Sequence, residues 1–226
     1  MAVLAVLLCL ATSQADLSRH IYPLANPIPC PPVVVDVSDF PEGQAWGDAA
    51  KGLVEKWFST VTSWLATEDY KAPAEIKLVI KKEINAPAYA SGGTITINGK
   101  WITQHPEDLG MVIHELTHVI QQYPNSRNKP GWLVEGIADY TRWWKYEPEL
   151  HAGKGRTKPD IEKAKFTDSY RTTAMWLAWS SRKYHMGLVP ALDRAMRKRE
   201  DPMPMFKSLT GKDADELWKE FIAAQG

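Results

Sequence analysis

Residues 111–140 hold the feature that most constrains this chain: His114 and His118 lie four apart, with Glu115 next to the first, in the run His-Glu-Leu-Thr-His. On an α-helix, residues four apart project from one face, so the two imidazoles can meet a single metal ion with Glu115 beside them. Two ligands do not complete a zinc site. A catalytic zinc takes three protein ligands and keeps a fourth position open to water, and two histidines with one glutamate is a recurrent set. Glu135 is the expected third ligand. Residues 132–146 read as a second helix, with Leu133, Ile137, Tyr140 and Trp144 as an apolar stripe and Glu135 and Asp139 sharing another face. Asp139 is then placed to accept the second ring N–H of a ligand histidine and fix its tautomer. Residues 124–131, rich in Pro, Asn, Ser and Gly, form the turn that folds the second helix back on the first.

The runs HELTHVIQQY and PGWLVEGIADYTRWW resemble the gluzincin metallopeptidases. With DSYRTTAMWLAW, LDRAMRKR and FKSLTGKDADELWKEF in the same order, the resemblance is closer still to the basic secretory protein family of plants and bacteria, from about residue 32 to the C-terminus. The resemblance implies an α+β fold: a mostly helical zincin-like domain with a small mixed β-sheet and an active-site helix carrying the His-Glu-x-x-His motif. It also implies one catalytic Zn2+, held by His114, His118 and Glu135, and a peptide or protein substrate. In the aminopeptidase-like branch a tyrosine on the next helix stabilises the oxyanion, which points to Tyr170, with Tyr184, His185 and Tyr123 as alternatives. By the same resemblance, residues 89–94 are an exposed edge to which an extended substrate can add main-chain hydrogen bonds; an ordinary surface hairpin is the other reading. The family is named for basic members, whereas 27 Lys and Arg here balance 27 Asp and Glu.

That zero formal charge argues against a nucleic-acid or anionic-membrane partner, since such surfaces need an excess of Lys and Arg. The apolar run 2–11, followed by Thr-Ser-Gln-Ala, resembles a signal peptide covering 1–15, too short to span a bilayer. The expectation is a protein secreted to the periplasm or cell exterior, with a Pro-rich lead-in over 16–31, a single catalytic domain over 32–226 and a monomeric state. Removal of residues 1–15 takes Cys9 and leaves Cys30 alone, so no internal disulfide and no four-cysteine zinc site can form. No recognisable base accompanies Cys30, which argues against a nucleophile.

Period-two and β-branched runs predict strands over 32–37, 75–84 and part of 86–99. Helical spacing predicts a helix over 45–65, with Trp46, Ala50, Leu53, Trp57, Val61 and Trp64 or Leu65 facing the core. Further helices are expected over 167–184, 188–199 and 213–224, the last opened by an Asp213–Glu216 capping box, with a polar surface excursion over 147–165.

The chemistry follows from charge. Two neutral imidazoles and one carboxylate leave zinc net positive, enough to lower its water's pKa toward about 7, with Glu115 as general base. Gln121 and Pro124 stand where a metzincin needs Gly and a third His, and no inverted motif is present. Two other readings stay open: a catalytically inactive secreted defence or binding protein on the same scaffold, and a zinc hydrolase acting on a non-peptide bond.

Overall fold

Four short strands supply the sheet on which the helices rest. They are β1 (Val33–Asp36), β2 (Ile76–Lys81), β3 (Ala88–Ser91) and β4 (Thr94–Asn98), in the order β1-β2-β4-β3. The computed structural model describes residues 28–67, 69–148 and 163–225. The expected signal peptide, most of the lead-in and most of the 147–165 excursion lie outside them. β1, β2 and β4 run parallel, and β3 returns antiparallel to β4, so the sheet is mixed. Ile76, Leu78 and Ile80 are fully buried while Lys77 and Val79 are half-buried, the period of two that a strand with one packed face shows.

Parallel pairing of β1 with β2 needs a crossover, and α1 (Gln44–Leu65) provides it. Its buried face is Gly47, Ala50, Val54, Phe58, Val61, Thr62 and Leu65. The expected stripe is therefore rotated: Trp46, Leu53, Trp57 and Trp64 are half-buried flanks rather than the centre. The cause is the close approach at Gly47, where a Cβ would strike Val35 Cγ1. Small residues centre the contact, and the indoles pack along its sides.

Asn98 closes β4 and opens α2 (Gly99–Gln104). Its side-chain oxygen accepts from the amides of Lys100 and Trp101 at 3.1 and 3.4 Å, and its amide donates to Ile84 and Ala86 carbonyls at 2.8 and 3.1 Å. Beyond it, α3 (Gly110–Gln121) is buried at every position from Gly110 to Thr117 and again from Val119 to Gln121. A helix buried all round belongs to the core. α4 (Gly131–Tyr140) follows and passes into a π-helical segment (Thr141–Tyr146), where an α-helix over the whole of 132–146 was expected. α5 (Tyr170–Lys183) crosses α4 so closely that a Cβ on Gly136 would collide with the Thr173 side chain.

α6 (Leu188–Arg197), α7 (Met203–Thr210) and α8 (Ala214–Ala223) complete the helical layer, in which the Trp176 and Phe206 rings stack with centroids 4.9 Å apart. The Asp213–Glu216 capping box forms as expected, each side chain bonding the other's backbone amide at 2.9 Å. Two short helices were not anticipated. α2 has six residues and α7 opens after Pro202, lengths too small for a periodic signal.

A buried ion pair ties this layer to the sheet half. Arg197 Nε donates to Asp193 Oδ2 and to the Leu65 carbonyl, both at 2.8 Å, and an Nη donates to the Ile120 carbonyl at 2.6 Å. The Tyr123 hydroxyl donates to Asp193 Oδ1 at 2.7 Å. One guanidinium thus holds the C-terminal turns of α1 and α3 together. Burial pushes the Asp193 carboxyl up to about 6 against the pull of Arg197 and Tyr123, so the pair is ionised at neutral pH.

Arg197→Met should cost about 3–5 kcal/mol at pH 7, the usual loss when one partner of a buried pair is removed. The folded pKa of Asp193 lies above its unfolded value of about 3.9, so its favourable contribution is full below that value and is lost as pH rises through about 6. Without Arg197 the carboxyl holds its proton still more firmly. Urea unfolding at two pH values should therefore give a smaller deficit for the variant at pH 5 than at pH 7; equal deficits would contradict this account.

Candidate metal centre

α3 carries His114, Glu115 and His118, and α4 brings Glu135 and Asp139 to the same place. His114 Nε2 lies 3.1 Å from His118 Nε2, and Glu135 Oε2 lies 3.2 and 3.4 Å from those two nitrogens. The outer ring nitrogens are each engaged. His114 Nδ1 meets Asp139 Oδ1 at 2.7 Å, and a carboxylate only accepts, so this nitrogen carries the proton. His118 Nδ1 meets Gln121 Oε1 at 2.7 Å, while the Gln121 amide nitrogen donates to the Val134 carbonyl at 3.1 Å. Gln121 therefore presents its acceptor, and His118 Nδ1 is the donor. With each Nδ1 bonded from behind, both Nε2 atoms face each other and Glu135.

Three such electron-rich atoms meet only with positive charge among them, a proton on His114 or a metal cation in its place. The size of the triangle is informative. A tetrahedral zinc with bonds of about 2.0–2.1 Å needs donor separations of about 3.3–3.4 Å, close to the edges present here. The donor set, two imidazole nitrogens and one carboxylate oxygen, also suits zinc. His114, His118 and Glu135 are thus a group able to hold a metal ion.

The local charge points the same way. Burial pulls the His114 imidazole down, but its bonds to Asp139 and Glu135, with the Asp139 and Glu115 charges, outweigh that and push it up to about 9. Burial raises Glu135, yet the two imidazoles bring it down to about 2. Glu115 is raised, first by burial and then by the Glu135 charge, against the pull of the two histidines. Three carboxylates around two imidazoles hold this pocket ready for positive charge.

The centre opens into a cleft of about 780 Å³ between β3 and α4. Ala88 and Ala90 of β3 line it opposite Glu135. The sheet edge beside the cleft is Ala88–Ser91, narrower than the 89–94 expected: Gly92, with φ +57°, turns the hairpin, and Thr94 lies in β4 between two strands.

Tyr170, the first residue of α5, lies over His114 with ring centroids 6.2 Å apart and planes 17° apart. It is 55% exposed. The Glu135 charge and then burial raise its pKa, so the phenol keeps its proton as a donor. The alternatives are engaged elsewhere. The Tyr123 hydroxyl is bound to Asp193, and that of Tyr184 to Glu220. His185 Nδ1 accepts from the Gly187 amide at 3.1 Å. Tyr184 and His185 also fall at the far end of α5, roughly 20 Å away at 1.5 Å of rise per residue. Ser169 has φ +67° and ψ −176°, and Tyr170 has φ +45°. Such backbone costs on the order of 1–3 kcal/mol per residue.

Gln121 escaped sequence reasoning, although its place three residues after His118 puts it on the same helical face. Cys30 is half-buried, and its thiol is pushed up to about 11 by burial and by Glu55, which fits an inert sulfur. The N-terminal end of α3 is fixed by an ion network. Arg142 pairs with Asp108, and its Nε donates to Glu147 at 3.2 Å, while the Glu147 carboxylate sits where a Cβ on Gly110 would be.

Residues 43–221 match the family BSP, described as peptidase of plants and bacteria. Comparison with curated proteins gives no match.

The second ring nitrogens make a prediction about affinity. Gln121→Ala and Asp139→Ala should each weaken zinc binding about 10 to 100-fold, as loss of a partner that orients a ligand usually does. Competition with a chromophoric chelator measures this; wild-type affinity in Gln121→Ala would remove Gln121 from the site.

Proposed function

Because the chain belongs to the BSP family of peptidases of plants and bacteria, we propose that it is a zinc-dependent peptidase of zincin-like architecture. Export, expected from the apolar run 2–11, is part of the proposal. The observation that carries it is the triangle of His114 Nε2, His118 Nε2 and Glu135 Oε2, with edges of 3.1 to 3.4 Å and both imidazole tautomers fixed from behind. His114, His118 and Glu135 would hold the ion, with Asp139 and Gln121 orienting the rings. Zinc bound there would supply a Lewis acid and lower the pKa of a water molecule.

The protein's own groups account for the proton transfers. Glu115 lies beside the ligands, 7% exposed, with its carboxyl raised by burial, which makes it a stronger base. It would accept the proton of the attacking water and deliver it to the leaving amine. Tyr170, still protonated and facing His114, would donate to the oxygen of the scissile carbonyl as negative charge gathers there, a contact worth roughly 2.7–4 kcal/mol in a comparable oxyanion hole. β3 is an edge strand that lines the cleft, with its Ala90 backbone bonded to the Glu115 carboxylate, and such an edge suits an extended peptide better than a compact small molecule.

Glu115→Gln should keep zinc while turnover of an unfolded-protein substrate falls about 10² to 10⁴-fold, the range for loss of a general base. A chelator should abolish wild-type cleavage, and added zinc should restore it. Wild-type turnover by Glu115→Gln, or cleavage that survives metal removal, would overturn the proposal.

A further inference from the structure

Among the described residues, four other than glycine have φ in the left-handed region: Gln122, Ser169, Tyr170 and Arg199. Gln122 and Arg199 follow the C-terminal ends of α3 and α6, where such backbone is ordinary. Ser169 and Tyr170 differ. They are consecutive and stand at the start of a helix, where a capping residue normally has extended backbone. Serine is among the best capping residues, yet Ser169 makes no side-chain cap bond. Its φ of +67° with ψ of −176° falls in a region that glycine alone occupies readily.

The surroundings hold this conformation from both sides. Ahead of it, the Lys165 amide donates to Asp168 Oδ2 at 2.8 Å and the Asp168 amide to the Lys165 carbonyl at 3.0 Å, closing a turn. Behind it, Thr173 Oγ1 donates to the Phe166 carbonyl at 2.6 Å, and the Thr173 methyl is wedged against Gly136 of α4, next to Glu135. The chain between these anchors has little choice of path. Its outcome is a Tyr170 ring laid over His114, with no protein partner for the hydroxyl among the described residues.

We infer that Ser169 is a positioning residue: its strained backbone, clamped by the 165–168 turn and by Thr173 against Gly136, aims the Tyr170 phenol over the metal centre. The inference rests on the peptidase reading for the role of Tyr170, but not for the strain or the aim. Backbone held in an unfavourable region by its neighbours is a means of fixing a side chain that packing alone leaves mobile. More than half of the Tyr170 surface is exposed, so packing contributes little.

Three Ser169 variants test it in the full chain. Ser169→Gly relieves the strain and should raise the melting temperature by several degrees in zinc-loaded and zinc-free protein alike, whereas Ser169→Ala should not. Ser169→Val cannot keep this φ, so its crystal structure should show the Tyr170 ring withdrawn from His114. Its kcat should drop to that of Tyr170→Phe with KM within about twofold, and the double variant should be no slower than either single one. A Tyr170 ring still over His114 in Ser169→Val, or no gain in melting temperature from Ser169→Gly, overturns the inference. A protein that shows both structural effects and yet cleaves no peptide sinks the peptidase reading and leaves the positioning intact.

Discussion

The rest of the structure depends on one meeting that calls for positive charge: two imidazole nitrogens and a carboxylate oxygen, from two helices, lie within 3.4 Å of one another. Lone pairs do not gather unaided. Asp139 and Gln121 arrange them by accepting hydrogen bonds from the outer ring N–H groups of His114 and His118, which turns both Nε2 atoms inward. The local charge comes from Asp139, Glu135 and Glu115, while Gln121 orients its ring without adding any. The helix that holds both histidines must be rigid, since a shift of a fraction of an ångström spoils a metal site.

That rigidity comes from arginines at the two ends of α3. At the N-terminal end Arg142 gathers Asp108 and Glu147, and Gly110 leaves room for the Glu147 carboxylate to sit against the first turn, where a helix welcomes negative charge. At the C-terminal end Arg197 caps the Ile120 carbonyl while pairing with Asp193. Arg142 also connects the site's two helices, because it extends from the π-helical continuation of α4. The centre is thus braced along α3 and across to α4, and the close crossing at Gly136 passes that bracing on to α5 and Tyr170.

What could be read in the sequence was whatever depends on local periodicity. His114 with His118, Glu135 with Asp139, and Asp213 with Glu216 are each pairs within one helix, and helical spacing alone sets their relation. The strands at Ile76–Lys81 and Thr94–Asn98 announced themselves by alternation and β-branching in the same way. Relations set by tertiary contact were not visible. The rotation of α1 depends on Gly47 meeting Val35, two residues with no periodic tie. Gln121 lay in plain view, but its acceptor orientation depends on the Val134 carbonyl of another helix. The backbone of Ser169 and Tyr170 runs against the preference of both residue types, so no propensity argument could reach it.

The most direct measurement is the zinc-edge X-ray absorption spectrum of the zinc-loaded protein. Two imidazoles and the Glu135 carboxylate should give a low-coordinate shell of nitrogen and oxygen at about 2.0–2.1 Å, with the outer-shell scattering that imidazole rings produce. A shell containing sulfur at about 2.3 Å, or an oxygen-only shell without imidazole scattering, would place the ion elsewhere and contradict the account.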